Sequence, residues 1–122
     1  MASNTPAFDT DSPAWKFYQR HVDFFVRKDI AGMLVSDYTD DAEVVSYDFA
    51  AKGKEQLLQL FTGYLAMMGD IKLKSTEHFR ATADSMLLEA TMETSGAGER
   101  KVWDVFVLRD GKIARHFTGI RQ

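Results

Sequence analysis

The sequence predicts an α+β domain, a curved antiparallel sheet with helices packed on one face. Two observations predict it. Apolar residues recur at helical spacing through the first half of the chain and at two-residue spacing through the second. The helices also precede the strands as a block, where a parallel α/β sheet would need them to alternate. A third observation concerns function. The hairpin WDVFVLRDGKIARHFTG (Trp103 to Gly119) carries an aspartate and a histidine on otherwise apolar arms.

Each element follows from local chemistry. Residues 1–12 read as a polar lead with no basic n-region or apolar h-region, and residues 13–122 as one domain. Asp11-Ser12-Pro13 suits a helix start, and Phe17, Tyr18, His21, Phe24 and Phe25 mark a first helix from Ala14 to about Lys28. Asp29 caps a shorter helix, Ile30 to about Tyr38, with Met33 and Leu34 inward. Thr39-Asp40-Asp41 breaks the pattern, and Glu43 to Tyr47 reads as a short strand. A third helix spans Lys54 to Met68 and ends at Gly69. A four-strand meander follows, over Ile71–Ala83, Met86–Thr94, Lys101–Leu108 and Lys112–Ile120.

Composition narrows the function classes. The net charge is −3 and no basic patch appears, which argues against nucleic acid or an anionic membrane as partner. There is no cysteine, so thiolate catalysis and thiolate metal sites are excluded. No apolar run approaches a membrane span, and a cytoplasmic location is expected. Neither Gly96-Ala97-Gly98 nor Lys52-Gly53-Lys54 has the context of a phosphate loop, and no nucleophile elbow exists.

The register of the opening hairpin decides what its polar groups mean. A two-residue Asp110-Gly111 turn would set Asp104 opposite Phe117 and His116 opposite Val105; the preferred three-residue loop, Arg109-Asp110-Gly111 with a bulge at the glycine, sets Asp104 opposite His116 and Trp103 opposite Phe117. It sorts the hairpin into two faces. One carries Trp103, Val105, Val107, Ile113 and Phe117, interrupted by Arg115. The other carries Val102, Asp104, Phe106, Ala114, His116, Thr118 and Ile120. Both are largely apolar, so helices should cover one and a second copy of the chain the other.

In order and spacing these elements resemble the nuclear transport factor 2-like superfamily, especially its SnoaL-like and ketosteroid isomerase-like members. KDIAGMLVSDYTDDAEVV (Lys28 to Val45) and DVFVLRDGKIARHF (Asp104 to Phe117) carry the resemblance most strongly. It implies three N-terminal helices over the concave face of a meander plus one short strand, closing a cone around a pocket for a small organic molecule. In ketosteroid isomerases such a pocket holds a helix-one tyrosine, a catalytic aspartate at the end of the first strand, and a protonated aspartate in the third meander strand. The last is matched by Asp104; in those enzymes that carboxylic acid is kept neutral by its apolar site. The tyrosine position carries His21 and the base position Ser46. The His-Trp-Asp of SnoaL-like cyclases reads His116-Phe117-Thr118 here, so two familiar carboxylates are replaced by hydroxyls.

Residue chemistry then nominates His21, Asp104 and His116 as acid/base groups around one cavity, since a carboxylate orients and tunes a neighbouring imidazole. Tyr47, Leu60, Phe61, Tyr64, Leu88, Met92, Phe106 and Thr118 are the expected ligand-binding wall. No metal and no cofactor is expected, because the three polar groups come from separate elements without a local metal-ligand spacing. The expected ligand is a small, mostly apolar organic molecule. The expected protein partner is a second copy through Trp103, Val105, Val107 and Phe117. Two readings remain open: proton-transfer chemistry (isomerisation, cyclisation or dehydration), and a non-catalytic ligand-binding or dimer-forming module.

Overall fold

The structure, a computed structural model, describes residues 10–121, so most of the polar lead expected over residues 1–12 lies outside the described residues. Helix α1 (Pro13–Val26) starts where Ser12 Oγ accepts a hydrogen bond from the Trp15 amide at 3.1 Å, with proline in the first turn. Helix α2 (Ile30–Asp37) is capped by Asp29, whose Oδ1 accepts from the Gly32 amide at 2.9 Å. Strands β1 (Tyr38–Val45) and β2 (Ala50–Lys52) follow, then helix α3 (Lys54–Met68) with Gly69 at its C-cap. The meander comprises β3 (Ile71–Ala81), β4 (Ser85–Thr94), β5 (Gly98–Arg109) and β6 (Lys112–Arg121).

All six strands form one sheet in the order β2-β1-β6-β5-β4-β3. The sequence reading gave five strands, all antiparallel. The sheet has a sixth, β2, and β1 runs parallel to β6. Strand β1 enters the sheet directly from helix α2, so no hairpin forces it antiparallel to its neighbour. Thr39-Asp40-Asp41, expected to break the pattern, lies inside β1, and Tyr38 opens that strand where the second helix was expected to end. Its register against β6 slips between Tyr38 and Glu43, which absorbs the polar stretch as an irregularity.

The β5–β6 hairpin also departs from expectation. Asp110 (φ 54°) and Gly111 (φ 79°) are both left-handed, which makes a two-residue turn with Arg109 opposite Lys112. The bulge sits beyond the turn: Leu108 pairs with Ile113 but Val107 pairs with Arg115, leaving Ala114 as the extra residue. Asp104 consequently stands opposite Thr118 and Phe106 opposite His116; Trp103 stands opposite Gly119, and Phe117 opposite Val105. The pairing differs from the expected one by two residues, an even number, so Asp104 and His116 still share a face. Ile113 does not. The bulge takes it from the outer face into the core, where it is fully buried.

The core lies between the helices and the inner sheet face, around Met33, Tyr38, Val44, Leu57, Leu88, Phe106 and Ile113. Strand β3 carries two register shifts, at Leu73/Ser75 and Thr76/His78. They leave Glu77 exposed, accepting a hydrogen bond from Thr91 Oγ1 at 2.9 Å, and His78 exposed beside it.

Candidate functional site

A cavity of about 700 Å³ opens between α1, α3 and the inner face of the sheet. Its walls are mostly hydrocarbon: Val22 and Phe25 from α1, Leu60, Phe61 and Tyr64 from α3, and Leu88, Ala90, Met92, Val102 and Phe106 from the meander. The eleven residues nominated from sequence all lie on its lining, though not in equivalent places. Tyr47 is 92% exposed and its ring stands 6.2 Å from that of Trp103, so it belongs to the rim and offers no donor in the interior. Asp48 is likewise exposed at the mouth.

Two imidazole–carboxylate pairs meet this cavity. His116 Nε2 stands 2.7 Å from Asp104 Oδ1, and His116 Nδ1 stands 2.9 Å from the Tyr38 hydroxyl. Tyr38 is fully buried; burial first, then the charges of Asp104 and Asp37, push its hydroxyl well above the ordinary tyrosine value. It therefore stays a phenol and shares its hydrogen bond with Nδ1, while Nε2 of the same ring is held against Asp104 Oδ1. Both ring nitrogens of His116 are occupied. Asp104, with its side chain 17% exposed, is the member of the pair that opens on the cavity.

His21 lines the same cavity but is held by a different carboxylate. Its Nδ1 lies 3.1 Å from Oδ2 of Asp37, a carboxylate with no exposed surface. Arg20 Nη2 donates to Asp37 Oδ1 at 2.8 Å and Ser36 Oγ donates to the same atom at 2.9 Å. Burial pushes Asp37 up, but the hydrogen bonds from His21 and Arg20 outweigh it and hold the carboxyl below its usual range. Burial pushes His21 down, past the opposing pull of Asp37, so the ring is neutral near neutral pH. A neutral ring that donates from Nδ1 to an ionised carboxylate has its lone pair on Nε2, and that nitrogen has no hydrogen-bond partner among the described residues. The ring itself lies on the cavity wall. The two imidazoles are 6.4 Å apart, with the Phe106 ring edge-on to both.

Sequence reasoning missed Asp37, Tyr38 and Arg20. A signal existed: Ile30, Met33, Leu34 and Asp37 fall on one stripe of α2, so a carboxylate continues the buried face. Two tyrosines complete the polar inventory. Burial pushes both Tyr18 and Tyr64 up to about 12, with Asp104's charge contributing in each. Tyr18 shares a 2.8 Å hydrogen bond with Thr76 Oγ1. Among the described residues no cluster of three or more potential metal ligands occurs.

The comparisons agree with this geometry at the level of fold. A candidate polyketide cyclase from Sinorhizobium meliloti superposes with a TM-score of 0.75 at 18% identity, covering 92% of this chain and 100% of its own. TerC, crystallised with polyporic acid, superposes with a TM-score of 0.74 at 21% identity, over 90% and 92% of the two chains. An NTF2-like protein from Anabaena variabilis gives 0.72 at 16% identity, over 98% and 96%. No curated protein matches significantly in sequence. The family model of the SnoaL-like domain matches residues 18–116, from the first helix through both members of the His116–Asp104 pair. The chain belongs to the SnoaL-like domain family.

Proposed function

We propose that this protein is a cofactor-independent acid/base catalyst, an isomerase, cyclase or dehydratase acting on a small, mostly apolar molecule. One observation carries the reading: two imidazoles, each hydrogen-bonded to its own carboxylate, line a single apolar cavity. Structural histidines need one satisfied hydrogen bond; a buried carboxylate, an arginine and a serine behind one imidazole do more, fixing its tautomer and supporting its positive charge. His21 Nε2 takes a proton from a carbon or oxygen of the bound molecule, and ionised Asp37 stabilises the imidazolium that forms. Asp104, held by His116, binds a substrate hydroxyl or accepts its proton, while Tyr38 holds the His116 ring in place through Nδ1. His21 returns its proton at a second position, so an isomerisation balances without any co-reactant. The polyporic acid held by the TerC structure supports a small organic molecule as the occupant.

The test is exchange in heavy water with a panel of polycyclic ketones and phenols, followed by mass spectrometry. Turnover or deuterium uptake is expected in the native protein, and His21→Gln or Asp104→Asn should reduce it by about 10²–10⁴-fold with folding retained. Uptake that survives both substitutions overturns the reading. A second reading, a binding module without chemistry, is favoured by the hydroxyls at Ser46 and Thr118, where the resembling enzymes carry carboxylates. It predicts ligand retention with no uptake in any variant. We further propose that the outer sheet face pairs two copies of the chain.

A further inference from the structure

We infer that the cavity selects its ligand by charge: it takes an aromatic molecule that is neutral or cationic and presents an O–H or N–H donor to Asp104, and it excludes anions. This rests on the small-molecule reading above and narrows it to a substrate class. The cavity lining holds two carboxylates, Asp104 within and Asp48 at the mouth, and no lysine or arginine among the described residues. Residues 1–9 and 122 contain no lysine or arginine either. Arg20 is the nearest guanidinium to His21 along helix α1, and it is committed to Asp37 outside the lining.

Asp104 accepts one hydrogen bond, from His116 Nε2, through Oδ1. Oδ2 has no protein donor among the described residues, and a carboxylate has about four lone-pair sites to satisfy. A carboxylate so placed in an apolar enclosure repels a second negative charge strongly, because little solvent screens it. It rewards a donor or a cation instead. The surrounding rings, Phe25, Phe61, Phe106 and Tyr64, present π faces and edges that suit a flat aromatic body and tolerate a positive charge. Geometry and charge thus point the same way.

Three probes of one shape separate the possibilities: 2-naphthol, 2-naphthylmethylamine (a cation near neutral pH) and 2-naphthoate. Calorimetric titration of the full-length protein near neutral pH is expected to rank naphthol and the ammonium above naphthoate by about tenfold or more in Kd. Asp104→Asn, checked for folding by circular dichroism, should remove most of the penalty on naphthoate. Equal affinity for all three probes, or a preference for naphthoate, overturns the charge inference while leaving the pocket reading intact. Failure of all three to bind overturns both. The ranking in the unsubstituted protein decides the matter even if the variant does not fold.

Discussion

At the scale of single residues, the buried His21–Asp37 pair ties folding to pH. His21 has its folded value pushed down by burial, so below the ordinary histidine range the unfolded chain binds a proton that the folded chain refuses. Protons then favour unfolding. Stability should fall as pH drops below about 6.5, by up to about 1.4 kcal/mol per unit for this one group, until the folded value is reached. Asp37 acts in a separate and more acidic window: its carboxyl is held below the usual range, so its contribution is complete above about 3.9 and is lost as pH falls through the folded value. Urea midpoints of the native protein and of His21→Gln, measured from neutrality down to mild acid, test the first window. The variant should be weaker at neutral pH yet flatter through mild acid. Parallel curves would show that His21 is not the group responsible.

At the scale of elements, the sequence was legible where periodicity is strong and opaque where a single extra residue decides. Helix α3 spans Lys54–Met68 as read, because Leu57, Leu58, Leu60, Phe61, Tyr64 and Leu65 form a broad apolar face and Gly69 ends it. The β5–β6 pairing was read two residues out of register because an Asp-Gly pair serves both a two-residue turn and a longer loop. The bulge at Ala114 has no compositional mark of its own. Faces survived the error because side chains alternate with period two; Ile113 alone, next to the bulge, changed sides. Asp37 and Tyr38 were overlooked at the α2–β1 junction, since polar residues beside Thr39-Asp40-Asp41 resemble an exposed turn. The hairpin also makes a prediction. A Cβ built on Gly119 would lie 2.5 Å from Trp103 Nε1, so the indole packs flat on the glycine opposite it. Gly119→Ala should cost about 1–3 kcal/mol through overpacking, visible as a lower Tm. Trp103→Phe in the same chain should recover part of the loss, and an unshifted Tm in the single variant would refute the contact.

At the scale of the whole molecule, the cavity accounts for the inner face of the sheet and leaves the outer face to be explained. Pairings across four strands align Leu87, Val105, Phe117 and Val45 in one continuous row. Leu87 is 53% exposed, and Val45, Val105 and Phe117 are only partly covered within one chain. Trp103 and Val107 flank the row on the same face, with Glu89, Arg115 and Arg121 toward its margins. An apolar centre with a charged border is the anatomy of a protein interface, and a two-fold contact lets the row meet its own copy. A stable homodimer buries roughly 800 Å² on each partner, an area that a sheet face of this length can supply. Sedimentation at micromolar concentration should therefore give twice the chain mass. Val105→Lys places a charge in the middle of the row on each copy and should yield monomers that still bind naphthol, because the cavity lies on the opposite face. Monomeric native protein, or a lysine variant that stays dimeric, would leave this row as exposed surface and require another explanation for it.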